Sequence, residues 1–153
     1  MSEQQTSQSN FGIYSLYVLG AIACFVFFQF FYPYHLFYQE QNQLFLASWD
    51  YLTTYLDKPG WLACLAGDFL TQFYYFRYAG PIILTLCILI TGHNVKCAVR
   101  DADIQGKKTA DIVAFIMMIL LVCFSFHYDY RLCSILAIAG GASVFRVSTK
   151  LLT

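Results

Sequence analysis

An uncharged, apolar stretch near the N-terminus limits the folds open to this chain. Residues 11–32 are 22 consecutive positions without Asp, Glu, Lys or Arg. At about 1.5 Å per residue, a helix of that length reaches about 33 Å, enough to cross the roughly 30 Å hydrocarbon core of a bilayer. No basic residue precedes the stretch, and it ends in the aromatic run Phe30, Phe31 and Tyr32. These features favour a spanning helix over a cleaved signal peptide.

The composition extends this prediction to the whole chain. Of its 153 residues, 59% are hydrophobic and 12% are charged, whereas about 25% of the residues in soluble domains are charged. The formal net charge is zero, which disfavours both a disordered chain and a basic nucleic-acid-binding protein. We therefore expect an integral membrane protein that lies in the lipid bilayer and has no nucleic-acid partner.

Further apolar blocks predict an all-α, polytopic α-helical membrane protein with about four spanning helices. The predicted spans are 11–32, 78–99, 110–126 and 132–147. The last is 16 residues long, so an interfacial or re-entrant segment is the alternative for it. The segments between them are a tail (1–10), an outer loop (33–77), a cytoplasmic loop (100–109), an outer turn (127–131) and a second tail (148–153).

The positions of Lys and Arg predict the orientation of these spans. Six of the nine fall at the ends assigned to the cytoplasm: Lys96, Arg100, Lys107, Lys108, Arg146 and Lys150. Loops and span ends that are rich in Lys and Arg stay on the cytoplasmic side. We therefore expect a cytoplasmic N-terminus and place the loop 33–77 on the outer side.

The outer loop is too apolar and aromatic to be a simple linker. Its pattern predicts short interfacial helices over 36–47, 48–56 and 61–76, with Ser48 as an N-cap. Pro59 and Gly60 predict a turn over 57–60. The many Tyr and Trp residues are typical of a belt at the membrane surface.

Acidic residues on the predicted outer side are the candidates for chemistry. Glu40 and Asp68 lie in apolar, amide-rich runs, where an unpaired carboxylate is costly. Gln43 and Gln72 follow them by one helical turn and are the expected hydrogen-bond partners. We name Asp68 first, Glu40 second and Asp129 third as candidate catalytic residues. The alternative is that they belong to a solvated loop.

Two runs in this region carry a family resemblance. FFYPYHLFYQEQNQLFL and DKPGWLACLAGDFLTQFYYFR resemble the N-terminal part of an uncharacterised family of multi-spanning bacterial inner-membrane proteins. The resemblance covers about residues 27–89, and the HYDYR segment more loosely. More distantly, Gly67-Asp68 followed by Gln72-Phe73 is similar to the first module of polytopic glycosyltransferases that use lipid-linked sugars.

This resemblance implies a location and a chemistry. It implies a protein of the bacterial inner membrane, with Asp68 first and Glu40 second as a base or metal partner. The implied substrate is lipid-linked. It also implies that the chain is either an N-terminal fragment of a longer protein or a reduced member of that superfamily.

The other residues give fewer indications. Cys64 and Cys133 are both predicted near the outer side, but spacing alone cannot establish disulfide geometry. The sequence has no metal-ligand spacing and no phosphate-binding glycine loop, so it predicts no metal site and identifies no cofactor.

Two functions are therefore expected. One is a module for glycosyl or lipid transfer, and the other is a structural or accessory protein that packs against other membrane proteins. A transporter is less favoured, because no predicted span carries a central acid.

Overall fold

In the part of the chain that the structure describes, every regular element is a helix, and turns or short connections join the helices. The computed structural model describes residues 17–31, 34, 36, 38, 41, 45, 46, 48–57, 59–102, 107–127 and 130–152. Its helices are α1 (Tyr17–Phe31), α2 (Trp49–Leu56), α3 (Trp61–Thr71), α4 (Ala79–Asp101), α5 (Lys107–Phe124) and α6 (Leu132–Leu152). The last turn of α1, Phe27–Phe31, is π-helical, and a 3₁₀ turn, Gln72–Tyr75, follows α3. The predicted all-α class is confirmed for these residues.

Local signals explain where the helices begin. The Ser48 hydroxyl accepts a hydrogen bond from the backbone N–H of Tyr51 at 3.3 Å, which confirms the predicted N-cap of α2. Gly60 has φ of 72°, a left-handed conformation that glycine adopts without steric cost. Pro81 lies in the first turn of α4, where its missing N–H would have no partner within the helix.

Several helix bounds differ from the sequence prediction. The helix expected over 61–76 is α-helical only to Thr71 and then tightens into the 3₁₀ turn, as helix C-termini often do. The helix predicted to end at 147 continues to Leu152. The helix predicted over 36–47 lies mostly outside the described residues.

Helix α4 forms the centre of the bundle and packs against both α5 and α6. Their shared core includes Leu84 and Ile88 from α4, Leu121 from α5 and Ile135 from α6. The Thr91 hydroxyl is fully buried and lies 2.7 Å from the carbonyl oxygen of Cys87 and 3.4 Å from that of Ile135. Helix α4 is thus held to α6 by a polar contact as well as by apolar packing.

Ion pairs join α4 to α5 and α6 near the C-terminus of α4. Lys96 Nζ lies 2.5 Å from Asp111 Oδ1 of α5, and Arg146 Nε of α6 lies 3.2 Å from Asp101 Oδ2. Arg100 approaches the other oxygen of Asp111 at 3.9 Å. Charged residues are therefore concentrated at the end of the bundle opposite to α3.

Among the described residues, two helices are long and apolar enough to cross a membrane. They are Ala79–Asp101 and Leu132–Leu151. Helix α1 is shorter over its described length, and α5 carries Lys107, Lys108 and Asp111 in its first turns. The structure thus shows two candidate spans by length and composition.

Candidate functional site

One face of α3 is made of small and polar residues and contacts α6. Cys64, Gly67, Asp68 and Thr71 follow the i, i+3, i+4, i+7 spacing of a single helix face. A Cβ atom at Gly67 would lie 2.7 Å from the backbone nitrogen of Cys133, inside van der Waals contact. Because only glycine leaves room for that approach, Gly67 sets the distance between the two helices.

Asp68 is buried, and its carboxylate accepts a hydrogen bond from α2. Its residue surface is 8% exposed, and the Tyr55 hydroxyl lies 2.5 Å from Oδ2. Tyr51, one turn earlier on α2, places its hydroxyl 2.6 Å from that of Tyr55. The three side chains form a continuous hydrogen-bonded chain from a half-buried tyrosine to a buried carboxylate. Below, Tyr51, Tyr55 and Asp68 are called the tyrosine–aspartate chain.

The surroundings of Tyr55 keep its phenol protonated. Burial raises the pKa of Tyr55 well above its usual range, and the hydrogen bond to Asp68 raises it further. Ionisation would remove the donor from the Asp68 carboxylate and place a second negative charge beside it. Tyr55 therefore acts as a hydrogen-bond donor that satisfies one oxygen of a buried acid.

Two thiols lie beside this contact. Cys64 of α3 and Cys133 of α6 are neighbours across the interface between these helices, and both cysteines are free thiols. The pairing that the sequence left open is therefore a contact between reduced thiols in this structure. Together with Gly67 and Asp68, they bring two thiols, a carboxylate and a glycine together at the α3–α6 interface.

A second feature lies between α1, α4 and α5. A cavity of about 340 Å³ lies between α1 and the packed pair α4 and α5, with small residues of α1 on one side and mostly large apolar residues on the other. Asp68 does not line this cavity. The buried carboxylate and the cavity are thus separate features of the fold.

A family comparison covers both features. The sequence profile of the Family of unknown function (DUF6057) matches residues 8–152. The chain belongs to this family. No curated protein and no solved structure matches it. Because all six helices fall within the matched range, the cavity and the tyrosine–aspartate chain both belong to the DUF6057 region.

The structure places one of the three candidate acids of this DUF6057 chain. Asp68 lies at the α2–α3–α6 junction, whereas Glu40 and Asp129 lie outside the described residues. The expected pairing of Asp68 with Gln72 is wrong, because the Gln72 amide points instead to the carbonyl oxygen of Phe45, at 3.4 Å. The partner of Asp68 is Tyr55, 13 residues earlier in the chain.

Sequence reasoning missed both tyrosines as members of the site. Tyr51 and Tyr55 were assigned to an interfacial aromatic belt, which accounts for aromatic rings without any specific partner. Their i, i+4 spacing on α2 was the available signal, since it puts both hydroxyls on one helix face. Whether that face meets Asp68 depends on how α2 packs on α3, which spacing along one helix does not give.

The described part of this DUF6057 chain brings few metal-binding groups together. No group of three or more His, Cys, Asp or Glu side chains is arranged there to hold a metal ion. The tyrosine–aspartate chain gives the buried carboxylate a hydrogen-bond donor and joins α2 to α3.

Proposed function

We propose that this DUF6057 chain is an integral membrane protein with α1, α4, α5 and α6 in the bilayer and α2 and α3 as a cap on its outer surface. The outward faces of the helices support the proposal. On α4, Ile82, Leu86 and Ile90 follow at four-residue intervals and are 45–56% exposed. A core helix of a soluble protein would bury such a row, whereas a helix in lipid presents it to acyl chains.

The other three helices show the same pattern. In the apolar stretch of α6, 17% of the residues are buried. Exposed aliphatic residues recur at helical spacing on α1 and α5, at Val18, Ile22, Val26, Ile112, Ile116 and Ile119. These faces support four helices in lipid. The proposed bacterial inner membrane rests on the sequence resemblance, and the proposed cytoplasmic N-terminus rests on the positions of Lys and Arg.

Within that membrane protein, we favour a structural or accessory role for the cap. The observation that carries this proposal is the short Tyr55–Asp68 hydrogen bond, which occupies a buried carboxylate oxygen inside a helix junction. A carboxylate used in this way holds α2 on α3 and presents the cap as a fixed surface. Partner membrane proteins would pack against it and against the exposed faces of the spans.

A transfer reaction on a lipid-linked substrate is the second candidate, and one observation favours it. The tyrosine–aspartate chain runs from the half-buried Tyr51 to Asp68, and a hydrogen-bonded chain of this kind can carry a proton to or from a base. In that function, Asp68 would be the base.

Membrane placement is tested by fractionation and labelling. Alkaline carbonate extraction should leave the protein in the membrane pellet, and a cysteine introduced at Asp57 should react with an impermeant maleimide in intact cells. A cysteine at Lys108 should stay unlabelled until the membrane is opened. Release of the protein by carbonate would refute the membrane proposal. Labelling at position 108 but not at position 57 in intact cells would show that the orientation is the reverse of the one proposed.

The two roles are separated by a substitution that keeps the shape of Asp68. In Asp68→Asn, the amide oxygen still accepts from Tyr55, but the side chain no longer acts as a base. An accessory role predicts that a strain with chromosomal Asp68→Asn outcompetes a deletion strain as well as the parent strain does. Growth like the deletion strain, at a normal protein level, would refute the accessory role and support transfer.

A further inference from the structure

The cavity between α1, α4 and α5 extends over several turns of α1. On α1 its lining runs from Tyr17 to Phe27, which at about 1.5 Å per residue corresponds to about 15 Å. The wall contributed by α1 is unusually small, with Gly20, Ala21 and Ala23 facing the cavity. We call this cavity the α1 slot.

The slot is apolar and has free space beside Gly20. Ile88 and Leu89 of α4 and Met118 and Val122 of α5 form the facing walls. In the described chain, no atom beyond the local helix lies within 4 Å of the position that a Cβ would take at Gly20. An apolar cavity gives water no hydrogen-bond partners and is left dry or filled by an apolar group.

The two ends of the slot differ in charge. At one end Phe27 and Phe126 meet with ring centroids 5.1 Å apart. At the other end Lys96 Nζ lies 5.4 Å from the centre of the Tyr17 ring, which lines the slot. Lys96 and Arg100 share the single carboxylate of Asp111.

Among these three described side chains, two cations therefore face one carboxylate. The Arg100 side chain is 42% exposed and 3.9 Å from its carboxylate partner, which leaves most of its donors facing outward. Guanidinium groups in this setting bind phosphate through charge-assisted hydrogen bonds. Basic pockets between spanning helices on the cytoplasmic side are known sites for anionic lipid headgroups.

We propose that the α1 slot binds one acyl chain of an anionic phospholipid, with the lipid phosphate at Arg100. The inference rests on the membrane placement proposed above. The bound acyl chain lies along Gly20 and Ala23, and its methyl end approaches Phe27 and Phe126. The second acyl chain of the lipid stays in the bilayer. The apolar lining favours an acyl chain over a polar ligand. The charge difference between the two ends fixes the direction in which the lipid lies.

Filling the slot gives the first test. Gly20→Leu places a side chain in the open space, and Gly140→Leu is the matched control. Gly140 is also helical, and its Cβ position is also free of contacts in the described structure, but it does not line the slot. Native mass spectrometry of the full chain, titrated with phosphatidylglycerol in a defined detergent, measures the bound lipid.

We expect one tightly bound phosphatidylglycerol for the parent and for Gly140→Leu, and an affinity about tenfold weaker for Gly20→Leu. Equal affinity in all three proteins would overturn the proposal. Weakening by both substitutions alike would also overturn it, because the lipid would then not be specific to the slot.

The headgroup gives a second test that does not depend on filling the slot. Arg100→Gln removes an exposed charge and should lower the preference for phosphatidylglycerol over phosphatidylcholine about tenfold. An unchanged preference would refute the phosphate position. A protein that stays in carbonate-washed membranes but binds no lipid refutes this inference alone, whereas one released by carbonate refutes the membrane proposal itself.

Discussion

Two contacts of this molecule use glycine for opposite purposes. At the α3–α6 interface, a Cβ on Gly67 would lie 2.7 Å from the Cys133 backbone nitrogen, whereas at the α1 slot a Cβ on Gly20 would meet nothing within 4 Å in the described chain. The first contact is tight and polar, with Asp68 and two thiols beside it. The second is loose and apolar. One contact joins α3 to the bundle, and the other leaves space between α1, α4 and α5.

The largest expected difference comes from adding side chains at these two glycines. Gly67→Val should destabilise the protein by about 3 kcal/mol, because backbone atoms of α6 cannot rotate away as a side chain would. Gly20→Val should cost less than about 1 kcal/mol, since valine is a comparable helix former to glycine or better. The melting temperatures of the two variants are compared in the same detergent, with size-exclusion chromatography used to measure the folded protein that remains after heating.

Equal melting temperatures for the two valine variants would contradict this comparison. A lower value for Gly20→Val than for Gly67→Val would reverse it. Either result would mean that the α3–α6 contact is looser than the structure shows.

A smaller effect is expected from the tyrosine–aspartate chain. Tyr55→Phe leaves the buried Asp68 oxygen without its donor and should cost about 2 kcal/mol, the usual range for hydrogen bonds to charged groups. Tyr51→Phe is the control, because it removes the 2.6 Å bond between the phenols but keeps the donor to Asp68. Unfolding of both variants measures the difference.

The double variant Tyr55→Phe with Asp68→Asn sharpens this test. If the cost comes from a buried charge without a donor, the double variant should be more stable than the sum of the two single effects predicts. Strict additivity would show that Tyr55 and Asp68 contribute independently.

The smallest expected effect lies at the start of α2. Ser48→Ala removes the N-cap that accepts from the Tyr51 N–H and should cost about 1 kcal/mol. Thr53→Ala is the control, because its exposed hydroxyl donates to the Asp50 carbonyl within the helix and caps no end. Proteolysis of the cap in detergent measures both, and equal cleavage rates would show that the cap residue does not stabilise α2.

Elements set by neighbouring residues could be predicted from the sequence. Ser48 precedes a helical pattern and Gly60 follows Pro59, so the start of α2 and the turn before α3 follow from residues within one helical turn. The helix that became α4 was expected over 78–99 and is found over Ala79–Asp101. Its long apolar run left little choice of structure.

Contacts between distant residues could not be predicted in the same way. Asp68 was a candidate because a carboxylate in an apolar run needs a partner, but local spacing pointed to Gln72. The actual donor, Tyr55, reaches it across the Gly60 turn. The role of Gly67 was equally hidden, because the atoms that exclude a side chain there belong to Cys133.

The sequence by itself determined that the chain is helical and too apolar for an ordinary soluble domain, because composition and periodicity are properties of short segments. The tertiary structure decided which carboxylate is buried against which phenol, which glycine is crowded and which has open space beside it. Those outcomes depend on the packing of helices far apart in sequence. Spacing along one helix carries no information about the distance to another.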